Sequence, residues 1–194
     1  MLPTFAVLML AFAEAVTVVG PAYPPNAIAG GNVVALLHVS AGSVKQVEIL
    51  QGDPPFVAPA RASLGSWRFK ATENSNVLVV VNFRSPNLYS TGSAAQKLAV
   101  SHPVPGALYP TNVIEPAYPP NSMAEGSVVL HLDVTEAGSV SSVKVVQGLG
   151  SLTAACSAAA RQWRFVPARN QKGMVTASEA YAVCVVRRPI LLRK

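Results

Sequence analysis

The sequence predicts an α+β protein with two tandem β-β-α-β modules, each a helix packed on a small antiparallel sheet. The hexapeptide Pro-Ala-Tyr-Pro-Pro-Asn occurs twice, at residues 21–26 and 116–121. The segments after the two copies run in parallel, with an apolar run, a Gly-Ser-Val turn and a second apolar run in the same order. Both segments then reach Trp-Arg-Phe, at residues 67–69 and 163–165. Such internal similarity indicates a duplicated structural unit.

The strands are predicted from alternation in the second copy. Apolar residues occupy every second position from 128 to 134, which is typical of a strand with one buried face. His131 and Asp133 fall on the other face and are expected to point to solvent. A short turn then leads to a valine-rich run at residues 140–146, which predicts an antiparallel hairpin. The β-branched segment 176–186 predicts a third strand that returns to the hairpin.

A helix is predicted between the second and third strands of each module. In the second copy, apolar residues recur at steps of four, three and four, as on one face of a helix: Leu152, Cys156, Ala159 and Trp163. The matching helix of the first copy, at residues 56–67, contains Pro59 and Gly65. It is therefore expected to be shorter or bent.

These patterns divide the chain into four parts. An apolar N-terminal segment covers residues 1–15, and the first module, which is the more degenerate copy, covers residues 16–86. A linker of glycine, proline and small polar residues covers residues 87–110, and the second module covers residues 111–194. Each module has roughly 70 to 85 residues, which is enough to fold but too few for a large core. The modules are expected to gain stability by packing on each other.

Composition and charge narrow the classes of function. The chain is 51% apolar and 12% charged, as expected for a globular protein rather than a disordered one. Its net charge of +6 is spread along the sequence. The only basic cluster is at the C-terminus, where no aromatic residue is interleaved: Arg187, Arg188, Arg193 and Lys194. This distribution predicts no nucleic-acid binding.

The N-terminal segment predicts export. Residues 1–13 are mostly apolar and too few to span a bilayer, and Ala13-Glu14-Ala15 resembles a small-x-small cleavage site. A cleaved secretory signal peptide is the leading interpretation. In the alternative, the segment stays uncleaved as an anchor and provides the chain's only association with the membrane.

Two cysteines, Cys156 and Cys184, lie in the second module. Cys156 belongs to the predicted helix and Cys184 to the last strand, so the two elements bring them close together. An exported protein permits a disulfide between them. The alternative is a pair of small buried thiols that only fill the core.

No residue pattern in the sequence indicates catalysis, a cofactor or a metal ion. The three histidines, His38, His102 and His131, do not occupy equivalent positions of the repeat, and neither Cys-x-x-Cys nor His-x-x-x-His is present. We therefore expect a protein that is not an enzyme and has neither cofactor nor metal. The alternative, an enzyme with an unrecognised site, has Asp133, His131 and Glu136 as candidates, near a turn.

Repeated aromatic residues are expected to support the fold rather than to bind ligands. A tryptophan at the end of an amphipathic helix in a small module is typical of a core anchor. An arginine beside it is favoured by the helix dipole. The residues with this structural interpretation are Tyr23, Trp67, Tyr118, Trp163, Arg164 and Phe165.

Taken together, the motifs of the second copy resemble the C-terminal domain of TonB. The order and spacing of the set carry the resemblance: Tyr118-Pro119, 126–130, Asp133-Val134, 138–140, Val143 and 160–168. The resemblance covers nearly all of residues 116–186, and a weaker version covers residues 21–83. It implies a non-enzymatic periplasmic domain whose last strand pairs with a short extended peptide, such as the TonB box of an outer-membrane receptor.

The resemblance also implies where the peptide binds. An exposed edge strand accepts a peptide through main-chain hydrogen bonds, so the last strand is the expected site. Its alternate residues are Val175, Ala177, Glu179, Tyr181, Val183 and Val185. An alternative is a component of TonB-dependent energy transduction and transport, anchored in the inner membrane. The N-terminal segment has no histidine and no long spacer follows it, unlike in a TonB transducer.

A structural role is a further alternative. The edge strands of the two modules would then pair with each other as one continuous sheet, or with those of a second chain in a homodimer. Such pairing uses the same surface that a peptide needs.

Overall fold

The computed structural model describes residues 13–70, 74–86, 95–99, 104–120, 122–170 and 172–188. Two helices are present in these ranges, α1 (Pro54–Gly65) and α2 (Gly150–Ala160). The strands, in chain order, are β1 (Ala15–Thr17), β2 (Gly31–Ser40), β3 (Ser43–Gly52), β4 (Arg68–Phe69), β5 (Ser75–Phe83), β6 (Ala95–Lys97), β7 (Tyr109–Ile114), β8 (Gly126–Val134), β9 (Val140–Gln147), β10 (Arg164–Val166), β11 (Ala168–Arg169), β12 (Val175–Thr176) and β13 (Ser178–Val186).

Eight of these strands form one sheet, in the order β1-β4-β3-β2-β5-β13-β8-β9. The remaining strands form two small sheets, β10-β7-β6 and β11-β12. Part of the predicted linker therefore belongs to a sheet, because β6 pairs with β7. The mixed α/β composition agrees with the predicted fold class.

The large sheet joins the two halves of the chain. In each half two antiparallel strands are followed by a helix and a returning strand, β2, β3, α1 and β5 in the first and β8, β9, α2 and β13 in the second. The prediction of a separate small sheet in each half is wrong. The returning strands β5 and β13 are parallel and pair over Val79–Phe83 and Tyr181–Val185.

β5 and β13 do not pair at equivalent positions of the repeat, because their register is offset by one residue. Val33 of β2 pairs with Val81, and at the equivalent place in the second half Val128 of β8 pairs with Cys184. The repeat therefore makes Val81 equivalent to Cys184, yet Val81 lies beside Val183. Because side chains alternate between the faces of a sheet, this shift puts equivalent side chains on opposite faces.

The sheet consequently has an apolar core on each face. One core combines Leu64 of α1 with Val79 of β5 and Val183 of β13. The other combines Leu152 of α2 with Leu130 of β8. The central strands are buried on both faces, as their near-continuous valine runs require.

The two helices have nearly the same length, 12 residues in α1 and 11 in α2. Of the two outcomes expected for the first helix, shorter or bent, the shorter length is therefore wrong. Pro54 and Pro55 occupy the first turn, where backbone N–H groups have no intrahelical acceptor, so proline costs little there. Pro59 removes one internal hydrogen bond, and Gly65 is the last residue of the helix.

Two arginines link the halves at the ends of the central strands. Arg84 follows β5, and its Nε donates a hydrogen bond to the Pro116 carbonyl at 2.9 Å. The Arg84 guanidinium also lies 5.4 Å from the centre of the Tyr118 ring. Arg187 follows β13, and its Nη1 donates to the Pro25 carbonyl at 3.0 Å. Each arginine thus binds the Tyr-Pro-Pro loop of the other half.

Candidate functional site

The expected open edge at β13 is not open along Tyr181, Val183 and Val185. These side chains are buried, and each residue has a strand partner on both sides, β8 and β5. The prediction that this part of β13 is an edge is therefore wrong. Edge character depended on a separate sheet in each half, and β5 of the first half occupies the place expected for a peptide.

The other three predicted peptide-binding residues precede this double pairing. Val175 belongs to β12 and pairs with Arg169 of β11. Ala177 lies between β12 and β13 and is exposed. Glu179 lies in β13 opposite Asp133 of β8. Five of the six residues therefore belong to two different sheets, and Ala177 lies between the two.

β9 is one of the two edge strands of the large sheet, and β1 is the other. Over Val140–Gln147, β9 pairs with β8 on one side. On its other side, no strand among the described residues pairs with it, and a single bridge joins the preceding Ser139 to Arg164. Val145 and Val146 are 51% and 37% exposed. A long, exposed strand edge of this kind is a template for pairing with another chain.

The repeat-equivalent strand β3 has the same short pairing at its start. β4 pairs with it at Ser43, as Arg164 of β10 bridges Ser139 before β9, and β1 and β7 pair with β4 and β10 in the same way. Further along, Arg61 of α1 donates a hydrogen bond from Nη1 to the Val47 carbonyl at 2.7 Å. This bond uses an acceptor on β3 that an added strand would need. The two edges therefore differ at this carbonyl, because the second half has Ser157 in place of Arg61.

The predicted structural tryptophans make the same hydrogen bond in both halves. Trp67 Nε1 donates to the Val19 carbonyl at 2.9 Å, and Trp163 Nε1 donates to the Ile114 carbonyl at 3.0 Å. Both side chains are fully buried. They therefore lack the exposed ring that stacking on a ligand requires. Phe165 is also buried.

The two repeated tyrosines brace their own loops. The Tyr23 hydroxyl donates to the Ala29 carbonyl, and the Tyr118 hydroxyl donates to the Ala124 carbonyl, six residues along in each case. Burial raises the pKa of Tyr23 to about 12, so the hydroxyl keeps its proton at neutral pH. The predicted structural Arg164 is exposed, and its Nη1 donates to the Trp163 carbonyl at 2.8 Å.

The two cysteines are free thiols that lie against each other. Both are fully buried, Cys156 on α2 and Cys184 on β13. The hydrogen bond with Cys156 and the loss of water raise the pKa of the Cys184 thiol well above its usual value. The arrangement is that of two buried thiols that fill the core.

A buried carboxyl lies where β7 meets the end of β5. Glu115 is 6% exposed. Its Oε1 accepts hydrogen bonds from Gln96 Nε2 at 2.8 Å and from the Ser85 N–H at 3.3 Å. Desolvation raises the Glu115 pKa, and the Ser85 hydrogen bond, the nearby Arg84 charge and Gln96 oppose that effect in part.

A polar cluster lies on β8 and β13. His131 Nε2 is 3.1 Å from Glu179 Oε2, and His131 Nδ1 is 3.8 Å from Asp133 Oδ1. The pairing of β8 with β13 creates this cluster, because Asp133 lies opposite Glu179 and His131 lies opposite Tyr181. The expectation that His131 points to solvent is wrong, since it is 7% exposed and its ring lies 5.4 Å from that of Tyr181.

Sequence reasoning did not find this cluster. Asp133 and His131 were considered as candidates together with Glu136, which lies in the exposed turn after β8 and is not part of the cluster. Glu179 takes its place, from a strand that is distant along the chain. One signal in the sequence points to this cluster. The third strand is predicted to return to the hairpin, and its pairing with β8 places Glu179 opposite Asp133 once the register is known.

The first half has a surface cavity beside its Tyr-Pro-Pro loop. It has a volume of about 470 Å³ and is lined by the loop and the start of α1: Pro24, Pro25, Asn26, Ala27, Ile28, Ala29, Pro55 and Phe56. Ile28 is 90% exposed. Its repeat equivalent, Met123, is also exposed, so both loops present an apolar side chain to solvent.

The second half places a single helix, α2, on antiparallel strands. A comparison with protein families matches residues 114–182 to the family described as Gram-negative bacterial TonB protein C-terminal. This segment belongs to the TonB C-terminal domain family, which confirms the family predicted from the sequence. The match extends from the end of β7 into β13 and spans β8, β9 and α2. Searches of curated proteins and of solved structures found no match.

The family gives a coarse functional setting. TonB C-terminal domains are of envelope or periplasmic type, do not form an enzyme family and interact with proteins such as outer-membrane receptors. Among the residues that the structure describes, no helix is long and apolar enough to cross a membrane. The predicted signal peptide lies mostly outside the described residues. Ala13 is buried, and its carbonyl accepts a hydrogen bond from the Tyr181 hydroxyl at 3.2 Å.

Proposed function

We propose that this chain is a non-enzymatic, periplasmic module that binds an extended peptide of a partner protein by strand addition. One observation carries the proposal: the TonB C-terminal segment includes β9, and the outer edge of β9 has no strand partner among the described residues. Strand addition takes its affinity from main-chain hydrogen bonds and its specificity from alternate side chains. An outer-membrane receptor segment is the partner that the family favours.

The docking strand is proposed to be β9 rather than β13. A peptide beside Tyr181–Val185 would have to displace β5, which pairs with β13 there and with β2 along its other side. Displacement would expose Val79 and Val81, which are fully buried. Addition to β9 breaks no existing strand pair. The exposed Val145 and Val146 would contact apolar side chains of the peptide.

We further propose that the first half is a degenerate module of the same kind. Its hexapeptide, its tryptophan hydrogen bond and its tyrosine hydrogen bond have equivalents in the second half. In this proposal the first half provides β5 as a permanent partner for β13. The pairing is the continuous-sheet arrangement considered from the sequence, and it leaves peptide binding to the other edge.

Peptide titrations test the proposed function. Fluorescently labelled peptides from receptor N-termini are titrated with the full chain, and anisotropy reports binding. A matched peptide carries N-methyl groups on alternate backbone amides, which removes donors but keeps every side chain. We expect the N-methylated peptide to bind at least about tenfold more weakly, since each lost interfacial hydrogen bond costs on the order of 1 kcal/mol. Equal binding of both peptides, or no binding of either, would contradict strand addition.

A further inference from the structure

The polar cluster on β8 and β13 is not used by the proposed peptide edge. We propose that His131, Asp133 and Glu179 bind a divalent transition-metal ion of the zinc type. One imidazole and two carboxylates are ligands that Zn²⁺ accepts in proteins, with water at the remaining position. The sequence alone indicated no such site, because Glu179 is far from the other two residues along the chain.

The distances suit a small divalent ion. One donor atom from each of the three side chains lies within 4.8 Å of the other two. Bond lengths to Zn²⁺ of roughly 2.0–2.2 Å place neighbouring donors of a tetrahedral site about 3.3–3.6 Å apart. The observed 3.1 Å from His131 Nε2 to Glu179 Oε2 is already close to that value. Asp133 Oδ1 lies nearest the other ring nitrogen, Nδ1, at 3.8 Å, so one of the two partly exposed carboxylates has to rotate to reach an ion bound at a single nitrogen.

The charges also favour a cation between the strands. Asp133 and Glu179 lie directly opposite each other on adjacent strands, and like charges in that position destabilise a sheet. Lys144 of β9 reaches Asp133 at 3.8 Å, but its own side chain is largely exposed. A bound divalent ion would neutralise both carboxylates.

The first half lacks this pair of charges at the equivalent place. There His38 of β2 lies opposite Asn76 of β5, as Asp133 lies opposite Glu179. His38 Nδ1 is 2.9 Å from Asn76 Oδ1, and His38 Nε2 is 3.1 Å from Glu48 Oε2. This group has one carboxylate, so we expect no comparable affinity. It is a matched internal control.

The histidine ligand is held before any ion arrives. His131 is buried against the ring of Tyr181. Tyr181 is itself fixed, because it is buried and its ring packs edge-on against Trp67, with 5.5 Å between the ring centres. A ligand that is already immobile loses little conformational entropy on binding. The exposed carboxylates leave a path from solvent.

The test uses the full chain without an affinity tag. Isothermal titration with Zn²⁺ is expected to give one strong site per chain. Co²⁺ in its place is expected to give the visible spectrum of a nitrogen- and oxygen-liganded ion with no thiolate charge-transfer band. Cys156 and Cys184 are buried in the core under α2, on the face of the sheet opposite the His131 cluster.

Conservative variants assign the ligands. Asp133→Asn and Glu179→Gln keep shape and are expected to weaken Zn²⁺ binding by at least about tenfold each, since each removes a charged ligand. Lys144→Gln removes a competing positive charge and is expected to strengthen binding. His38→Ala and Glu48→Gln are expected to leave the affinity unchanged. The proposal is overturned if the chain takes up no Zn²⁺, if Asp133→Asn and Glu179→Gln bind as the parent does, or if the His38 variants lose the site.

Discussion

Trp67 and Trp163 show how single residues repeat a structural role across the two halves. Each ends the segment after a helix, is fully buried and donates its indole N–H to a backbone carbonyl that precedes the Tyr-Pro-Pro loop. The carbonyls belong to Val19 and Ile114, which are themselves equivalent in the repeat. The hydrogen bond offsets the cost of burying the indole N–H, and it holds in place the segment that precedes the Tyr-Pro-Pro loop of each half.

Glu115 gives a pH dependence that can be measured. Burial raises its folded-state pKa above the unfolded value, so the folded chain binds more protons between those two pKa values. Its contribution to stability is therefore complete below the ordinary carboxyl pKa and is lost as the pH rises through the raised value. We expect the free energy of unfolding of Glu115→Gln to fall less steeply with rising pH between those two pKa values. Urea unfolding at a series of pH values measures this.

Glu136→Gln is the matched control for that experiment, because Glu136 is an exposed turn residue. Its pH profile of stability should follow that of the parent chain. A Glu115→Gln profile with the same slope as the parent would contradict the assignment of the pH dependence to Glu115.

At the scale of elements, the two ends of the large sheet differ although the repeat makes them equivalent. β3 and β9 have equivalent contacts at their starts, with β4 at Ser43 and with β10 at Ser139, but among the described residues only β3 has an arginine of its helix, Arg61, bonded to its edge. Position 157, which matches Arg61 in the repeat, is a serine with no long donor. The sequence therefore contains the reason why one edge is protected and the other is open.

Val145→Lys tests the role of β9 as a docking strand. Val145 is exposed, so its replacement is expected to change the free energy of unfolding by less than about 0.5 kcal/mol. Lysine is a residue that blunts strand edges, and we expect it to weaken peptide binding by about tenfold. Anisotropy titration measures the affinity, and Val145→Thr is the β-branched control. Unchanged affinity in Val145→Lys would argue against docking at this edge.

The strands and helices of the second half were predictable because their signals are local. The alternation of apolar residues from 128 to 134 predicts β8. The spacing of Leu152, Cys156 and Ala159 predicts α2. The pairing of β5 with β13 was not predictable to the same degree, because parallel pairing of distant segments has no local signature. The burial of His131 depends on Tyr181 across that sheet. The alternation along β8 alone predicts a solvent-exposed side chain for His131.

At the scale of the whole molecule, one sheet makes the two halves dependent on each other. β5 and β13 bury valines that neither half would cover alone, and Arg84 and Arg187 add contacts between the halves. Two cores that share a sheet are expected to unfold together. The chain is therefore expected to behave as one cooperative unit.

Trp67→Phe tests this cooperativity, because Trp163 is then the only tryptophan in the chain. The change removes the hydrogen bond to Val19 and is expected to cost about 2 kcal/mol. Trp163 fluorescence, which reports on the second half, should show the full loss of stability. Trp163→Phe is the reciprocal variant, with Trp67 as its probe. A Trp163 transition that keeps the midpoint of the parent chain would show that the halves unfold separately.

Residue-resolved NMR of the full chain, titrated with an unlabelled receptor N-terminal peptide, tests the central claim most directly. The account predicts amide shifts concentrated in Ser141–Gln147, with Tyr181–Val185 remaining paired to β5 and unchanged. Shifts confined to Tyr181–Val185 would contradict it, because they require the peptide to replace β5. The absence of shifts in both segments at saturating peptide would contradict strand addition itself.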